Sequence, residues 1–472
     1  MALQSRMVTS TPTPPPDRAA PAASAPPGPP ESRTSPASRT VPIAIQPAPQ
    51  RPQRPPPTQG PWRFGTLLAS PHRLGFFLAA VVLVMASLWW LAVQWGRITG
   101  AFALGGAVPP TLTHAAVMVF GFMPLYFSGF LFTAGPKWLN VPPYAARQLR
   151  APGVLQAVGW GLWLLGAHTL VGVALLGLAL AWVGLVWMYG LFWRLIRTSR
   201  APDRVHALAV GWGGCVGVLC LAAVGVCLAL GRIDLALVAV RTGLWGFIVV
   251  TYVAVAHRMI PFFTSSALPM IEVWRPMWVL WFMLAVAAFE VLAVWVDQAA
   301  PSARAWPQWT VFVIAVESVA GAVLLWLAVV WGLAQSLKIR LLAMLHVGFV
   351  WFGVALLYSA ASQAIWLLTG QAVLGLGALH ALSMGFLGSL MLAMVTRVSC
   401  GHSGRALVAD DLVWGLFWAL QVAVGLRLIA AVQGAPVALT PLAALAWAAV
   451  VTAWALRYGN WYGRPRADGK PG

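Results

Sequence analysis

Charge is the scarcest feature of this 472-residue chain: 9% of its residues are Asp, Glu, Lys or Arg, and only 11 are acidic. Soluble domains carry about a quarter charged residues, so a soluble globular fold is excluded. Cysteine is scarce as well. Cys215, Cys220 and Cys227 sit in one apolar stretch and Cys400 in a polar one, with no CxxC pair. That spacing removes a disulfide framework and a thiolate metal site and leaves buried free thiols. The chain also lacks the Gly-x4-Gly-Lys frame of a phosphate loop. Its nearest approach, "GHSGR" at 401–405, gives no support for nucleotide binding. Histidines number 8, and no two of them are adjacent or separated by a single residue.

What fills the chain instead is apolar: 60% hydrophobic residues, 27 Trp, and a mean hydropathy of +0.79. About 20 apolar residues at ~1.5 Å each cross the ~30 Å of bilayer hydrocarbon. Twelve stretches approach or reach that length, roughly at 74–96, 111–134, 152–168, 170–193, 206–230, 234–256, 275–296, 307–333, 341–364, 373–397, 413–432 and 438–456. The expected fold class is an all-α polytopic membrane protein, a bundle of about twelve transmembrane helices over 74–457. Residues 1–62 are rich in Pro, Ala and Ser and bury too little apolar surface to fold, so they read as a disordered tail. Residues 458–472 read as a short basic tail. The net charge of +19 suggests nucleic acid until its distribution is considered. Lys and Arg crowd the tails and alternate loops, whereas the opposite loops hold only Arg97, Arg232 and Arg304. That is a positive-inside topology signal, and it places both termini in the cytoplasm with the lipid bilayer, not nucleic acid, as partner.

One sequence frame recurs. "HAAVMVF" (His114–Phe120) returns as "HALSMGF" (His380–Phe386), with His, Ala, Met and Phe in identical spacing. Under the topology above both stretches enter the membrane from outside, and both histidines fall in its outer third. Paired imidazoles at equal depth on two helices suit a haem held edge-on in a bundle. They also suit copper, with thioether sulfur as a further ligand. Met118 and Met384 lie one helical turn after each histidine. Against ligation stands ordinary packing, in which each histidine bonds a neighbouring helix and each methionine fills a gap. The paired frame favours ligation for the histidines, and packing for the methionines. Arg241, Glu290, Glu317 and Arg427 are charges inside spans, costly unless paired or facing a wet cavity. Either the four neutralise one another, or the arginines hold haem propionates and the glutamates serve a proton path.

"THAAVMVFGFMPLYFSGFLFTAGPKW" (113–138), "HRMIPFFT" (257–264) and "HALSMGFLGSLMLAMVTRVSCGHSGR" (380–405) resemble the NnrS family of bacterial inner-membrane proteins. The resemblance runs over residues 74–460, with Ser403 standing where that family usually has Thr. It implies a twelve-span protein carrying haem and copper, associated with denitrification and relief of nitrosative stress, in which nitric oxide or a related small molecule is the partner. The second span is also similar to that of haem–copper oxidase catalytic subunits, where histidines of spans 2 and 10 hold a low-spin haem. Carried over, those positions are His114 and His380. The oxidase His-x-His and His-His pair are missing, so an oxidase-type binuclear centre is not expected. His257 and His346 are the next metal candidates, for copper.

The expectation is therefore a haem-binding, and further a copper-binding, inner-membrane protein that handles or responds to nitric oxide. His114 and His380 are the expected iron ligands, Met118 and Met384 pack the haem face, and Arg241 and Arg427 neutralise propionates. The alternatives are a membrane oxidoreductase acting on nitric oxide, drawing on an electron donor the sequence does not identify, or a metal or solute transporter.

Overall fold

The computed structural model describes residues 60–100, 106–300 and 306–470. The expected disordered tail lies, up to residue 59, outside the described residues, as does Arg304. Over the described residues the chain is helical, with no strand. Eleven helices are long and apolar enough to cross a membrane: α1 (Pro71–Thr99), α2 (Pro110–Leu139), α4 (Val171–Thr198), α5 (Val205–Ala229), α6 (Ile233–Ala267), α7 (Met277–Ala299), α8 (Pro307–Val330), α9 (Arg340–Thr369), α10 (Gly377–His402), α11 (Asp411–Ile429) and α12 (Leu439–Tyr462). The chain is an all-α polytopic membrane protein. The third expected span is a helix, α3 (Arg150–Gly166), but of 17 residues. At ~1.5 Å per residue it falls a few ångströms short of the hydrocarbon thickness.

Small residues let these helices approach. A Cβ on Gly177 would lie 2.5 Å from the Trp163 backbone nitrogen, and one on Gly159 2.5 Å from the Gly177 carbonyl oxygen. Backbone therefore meets backbone where α3 crosses α4, the packing that substitutes for hydrophobic drive inside lipid. Gly321 of α8 and Gly353 of α9 face each other in the same way, as do Gly75 of α1 and Gly129 of α2. The last helix packs against the first, where Trp447 of α12 donates its Nε1–H to Ser87 Oγ of α1 at 2.9 Å.

Three of these helices are irregular, and the irregular stretches of all three line one cavity. Helix α2 loosens at Gly121 (φ −79°, ψ −84°). Pro124 has no N–H to give to the carbonyl of Phe120, which explains a break there. Helix α6 widens to π geometry over Leu244–Val249 and α10 over Ala381–Gly388. Wide turns of this kind interrupt regular side-chain packing and recur at functional sites.

The described residues just before α1 and just after α12 are tied to the bundle. Trp62 donates Nε1–H to Gly459 O at 3.1 Å. Beyond α12, Ala467 N donates to Ser403 O at 2.9 Å, Arg466 Nη1 donates to His402 O at 3.0 Å, and Arg466 pairs with Asp468. Residues 464–468 are thus anchored on the turn that closes α10.

Candidate functional site

A cavity opens among α1, α2, α6, α10, α11 and α12, next to the three helical irregularities. Pro110 starts α2 at the position where a proline costs no hydrogen bond, and His114 is the fifth residue of that helix. Helix α10 starts at Gly377, later than the expected 373, because residues 371–376 form a turn that needs Gly375 at φ +47°. His380 is consequently the fourth residue of its helix. The two histidines occupy almost the same position in their helices, and both line the cavity.

The two imidazoles are held differently. His380 Nδ1–H donates to the Leu376 carbonyl at 2.8 Å. A carbonyl only accepts, so this bond fixes the tautomer and leaves Nε2 as the ring's lone pair. A backbone anchor on one ring nitrogen with the other free is the usual orientation of a metal-ligating histidine. His114 is held by stacking: its ring lies 3.9 Å from Trp90 of α1, at 17°. Its Nδ1 is buried without a hydrogen-bond partner.

The walls between them are apolar, with Met118, Val240, Leu244, Met384 and Leu387 among the lining residues. Arg241 of α6 and Arg427 of α11 line the same cavity, and the Arg427 charge acts on both imidazoles. All six residues expected to contact a cofactor therefore surround one space. The donor set fits an amphiphilic macrocycle: two imidazoles for a metal, apolar side chains for its faces, and two guanidiniums for peripheral carboxylates. The Trp447–Ser87 hydrogen bond closes one wall. Replacing Trp447 with Phe is expected to lower stability by about 1 kcal/mol, measured as a fall in melting temperature.

His257 and His346 are elsewhere, and apart. His257 Nε2–H donates to Pro276 O at 3.1 Å, so its Nδ1 accepts from His206 Nε2–H at 2.9 Å. Thr264 gives its hydroxyl proton to Ile260 O, so His346 Nε2–H donates to Thr264 Oγ1 at 2.9 Å. The two histidines thus belong to separate hydrogen-bonded sets, and each satisfies part of its valence within the protein. Among the described residues, no three of His, Cys, Asp or Glu converge as a metal site would require. His168, at the outer end of α3, accepts from Trp89 Nε1–H at 2.7 Å.

Among the described residues, the ion pairs are Arg232–Asp234, Arg340–Asp411, Arg457–Asp410 and Arg466–Asp468, all near helix ends or in the turns beyond them. Glu317 Oε1 instead accepts from Ser359 Oγ at 2.8 Å.

Sequence reasoning missed two features. Trp90 has a signal, since "LWW" at 88–90 marks aromatic residues near the outer end of α1, but which partner it stacks on depends on helix rotation. The His72–His402 pair, with ring centroids 4.5 Å apart at the opposite end of α10, has no sequence signal, because 330 positions separate the two residues.

The model of the family described as NnrS protein matches residues 66–466. The chain belongs to the NnrS family. No curated protein matches this chain. Membership in the NnrS family, with helices that fit a bilayer, makes this a multi-pass membrane protein of the nitric oxide response. The NnrS match extends beyond the recurring histidine frame to all twelve helices and the anchored turn after α12.

Proposed function

We propose that this protein binds haem between α2 and α10 and through it takes part in handling nitric oxide at the bacterial inner membrane. The observation that carries the reading is that His114 and His380 line one apolar cavity, with the His380 Nδ1–H committed to the Leu376 carbonyl. A haem bound there supplies an iron centre with affinity for diatomic gases and for electrons. The chain's own residues orient it: His380 presents Nε2 from a fixed ring, and Trp90 sets the plane of His114. Met118 and Met384 exclude water from the apolar faces, and Arg241 and Arg427 attract carboxylates to one edge.

Copper is the second part of the proposal. The cavity's imidazole and thioether groups suit Cu(I), whereas the His257 and His346 rings are engaged within the protein. The test is an absorption spectrum and metal analysis of the purified protein. A Soret band with near one iron per chain is expected; a protein expressed in haem-replete cells without that band would overturn the reading. Replacing Arg241 or Arg427 with Gln is expected to weaken haem retention about tenfold, the loss of a charge-assisted hydrogen bond. Competition against an apo-haem acceptor protein measures it, and the spectral shape should stay unchanged.

A further inference from the structure

A second chamber, of about 390 Å³, adjoins the histidine cavity. The two share Arg241, Leu244, Leu376 and Leu379 as walls, but their chemistry differs. The second is lined by Glu290 of α7 and by Ser359, Ser362 and Gln363 of α9, and it reaches the turn at Ala372 and Gly375 ahead of α10. Its walls are mostly apolar, but these side chains supply hydrogen-bonding partners, and it has room for several waters at ~30 Å³ each.

Glu290 and Glu317 are buried, at 9% and 3% exposure, in the middle of two apolar helices. Glu290 Oε1 and Glu317 Oε2 are each buried without a hydrogen-bond partner, and the charge of Glu317 acts on Glu290. Ser359 links the two: its hydroxyl donates to Glu317 Oε1, and its side chain lines the chamber beside Glu290. No lysine or arginine is ion-paired with either carboxyl among the described residues. Two carboxylates in each other's field, taken out of water and not neutralised, do not both stay ionised. The remaining charged groups around the pair are Arg241, which lines the same chamber as Glu290, and Asp297, two turns along α7, whose negative charge acts on both carboxyls. Tyr358 neighbours Ser359 on α9 but approaches Gly377 and Arg427 instead. A buried ionisable group facing an intramembrane cavity with room for water is the usual mark of a proton site.

We propose that Glu290 and Glu317 together hold one exchangeable proton, and that the chamber carries it between the turn at 372–375 and the wall of the histidine cavity. A hydronium among the chamber waters gives its proton to a carboxylate oxygen of the pair and becomes water, and the carboxyl later returns one proton to a chamber water, so one proton enters for each one released. The site is defined by the chamber and does not depend on what fills the neighbouring cavity.

Infrared difference spectroscopy of the purified full-length protein in lipid nanodiscs tests this. At neutral pH the wild-type protein is expected to show a protonated-carboxyl C=O band that shifts on transfer to D2O and is lost in E290Q/E317Q. The His114→Ala/His380→Ala protein is expected to keep that band, so failure of the haem reading and failure of the proton site are separable. Ser359→Ala, a mild change, is expected to shift the band by removing the hydrogen bond to Glu317, and serves if the double variant does not fold. A wild-type spectrum without the band, a band that resists D2O, or a band indifferent to both E290Q/E317Q and Ser359→Ala would overturn the proposal.

Discussion

His380→Ala protein is expected to purify with at least about tenfold less haem than wild type, corresponding to 1.4 kcal/mol or more of lost binding free energy. The expectation rests on the anchor at this residue. The Leu376 carbonyl holds the ring so that Nε2 needs no reorganisation to ligate, and alanine removes both the ligand and the benefit of a ring already in place. His114→Ala is expected to act in the same direction. Its ring is held by a Trp90 stack and no hydrogen bond, so Trp90→Ala should weaken retention too, by less than loss of the imidazole itself. His257→Ala and His346→Ala belong to other hydrogen-bonded sets and should leave the Soret band intact. Haem extraction and the Soret absorbance per chain measure all five proteins. Full haem content in the His114→Ala/His380→Ala protein would reject the assignment outright.

Gly177→Val is expected to produce the largest loss of stability, about 3 kcal/mol or more, from overpacking a backbone-to-backbone crossing. The Cβ alone would sit 2.5 Å from the Trp163 nitrogen and 2.6 Å from the Gly159 carbonyl oxygen. Backbone atoms cannot swing aside as a side chain does, so α3 would have to leave α4. Helix α3 is too short to lie across the bilayer comfortably by itself. Its end also carries the carbonyl of Ala167, which accepts from the nitrogens of Ala107 and Val108 just before α2. A displaced α3 therefore loosens the segment leading into the helix that bears His114. Thermal unfolding in detergent and the monodisperse fraction on size exclusion measure the effect. An unaltered melting temperature would mean the crossing is looser than 2.5 Å implies. Gly190→Val on the same α4 helix, where a Cβ meets nothing within 4 Å, is the matched control.

The recurring frame led to two residues that line one cavity, for a reason that is local. His114 and His380 stand near the starts of their helices, and a start is set by punctuation the sequence carries: Pro109-Pro110 for one, and the glycines at 375 and 377 for the other. The methionines reach the cavity by two different geometries. Met118 is one regular turn beyond its histidine, whereas Met384 reaches the same cavity through a π-helical turn that no apolar periodicity announces. Arg241 lines both the histidine cavity and the chamber that holds Glu290, Arg427 lines the histidine cavity, and Glu317 turns to Ser359.

By itself the sequence determined the membrane class and the helices. Each of these follows from the run length of apolar residues and from turn residues read in order along the chain. Only the tertiary structure decided which residues share a cavity, because that depends on the rotation of each helix about its axis. At 100° per residue, a helix turned by one position faces a different neighbour, and close contacts such as Gly159–Gly177 and Gly321–Gly353 fix that rotation. The separation of His257 from His346, the stack of Trp90 on His114 and the chamber beside Glu290 were all settled at that level.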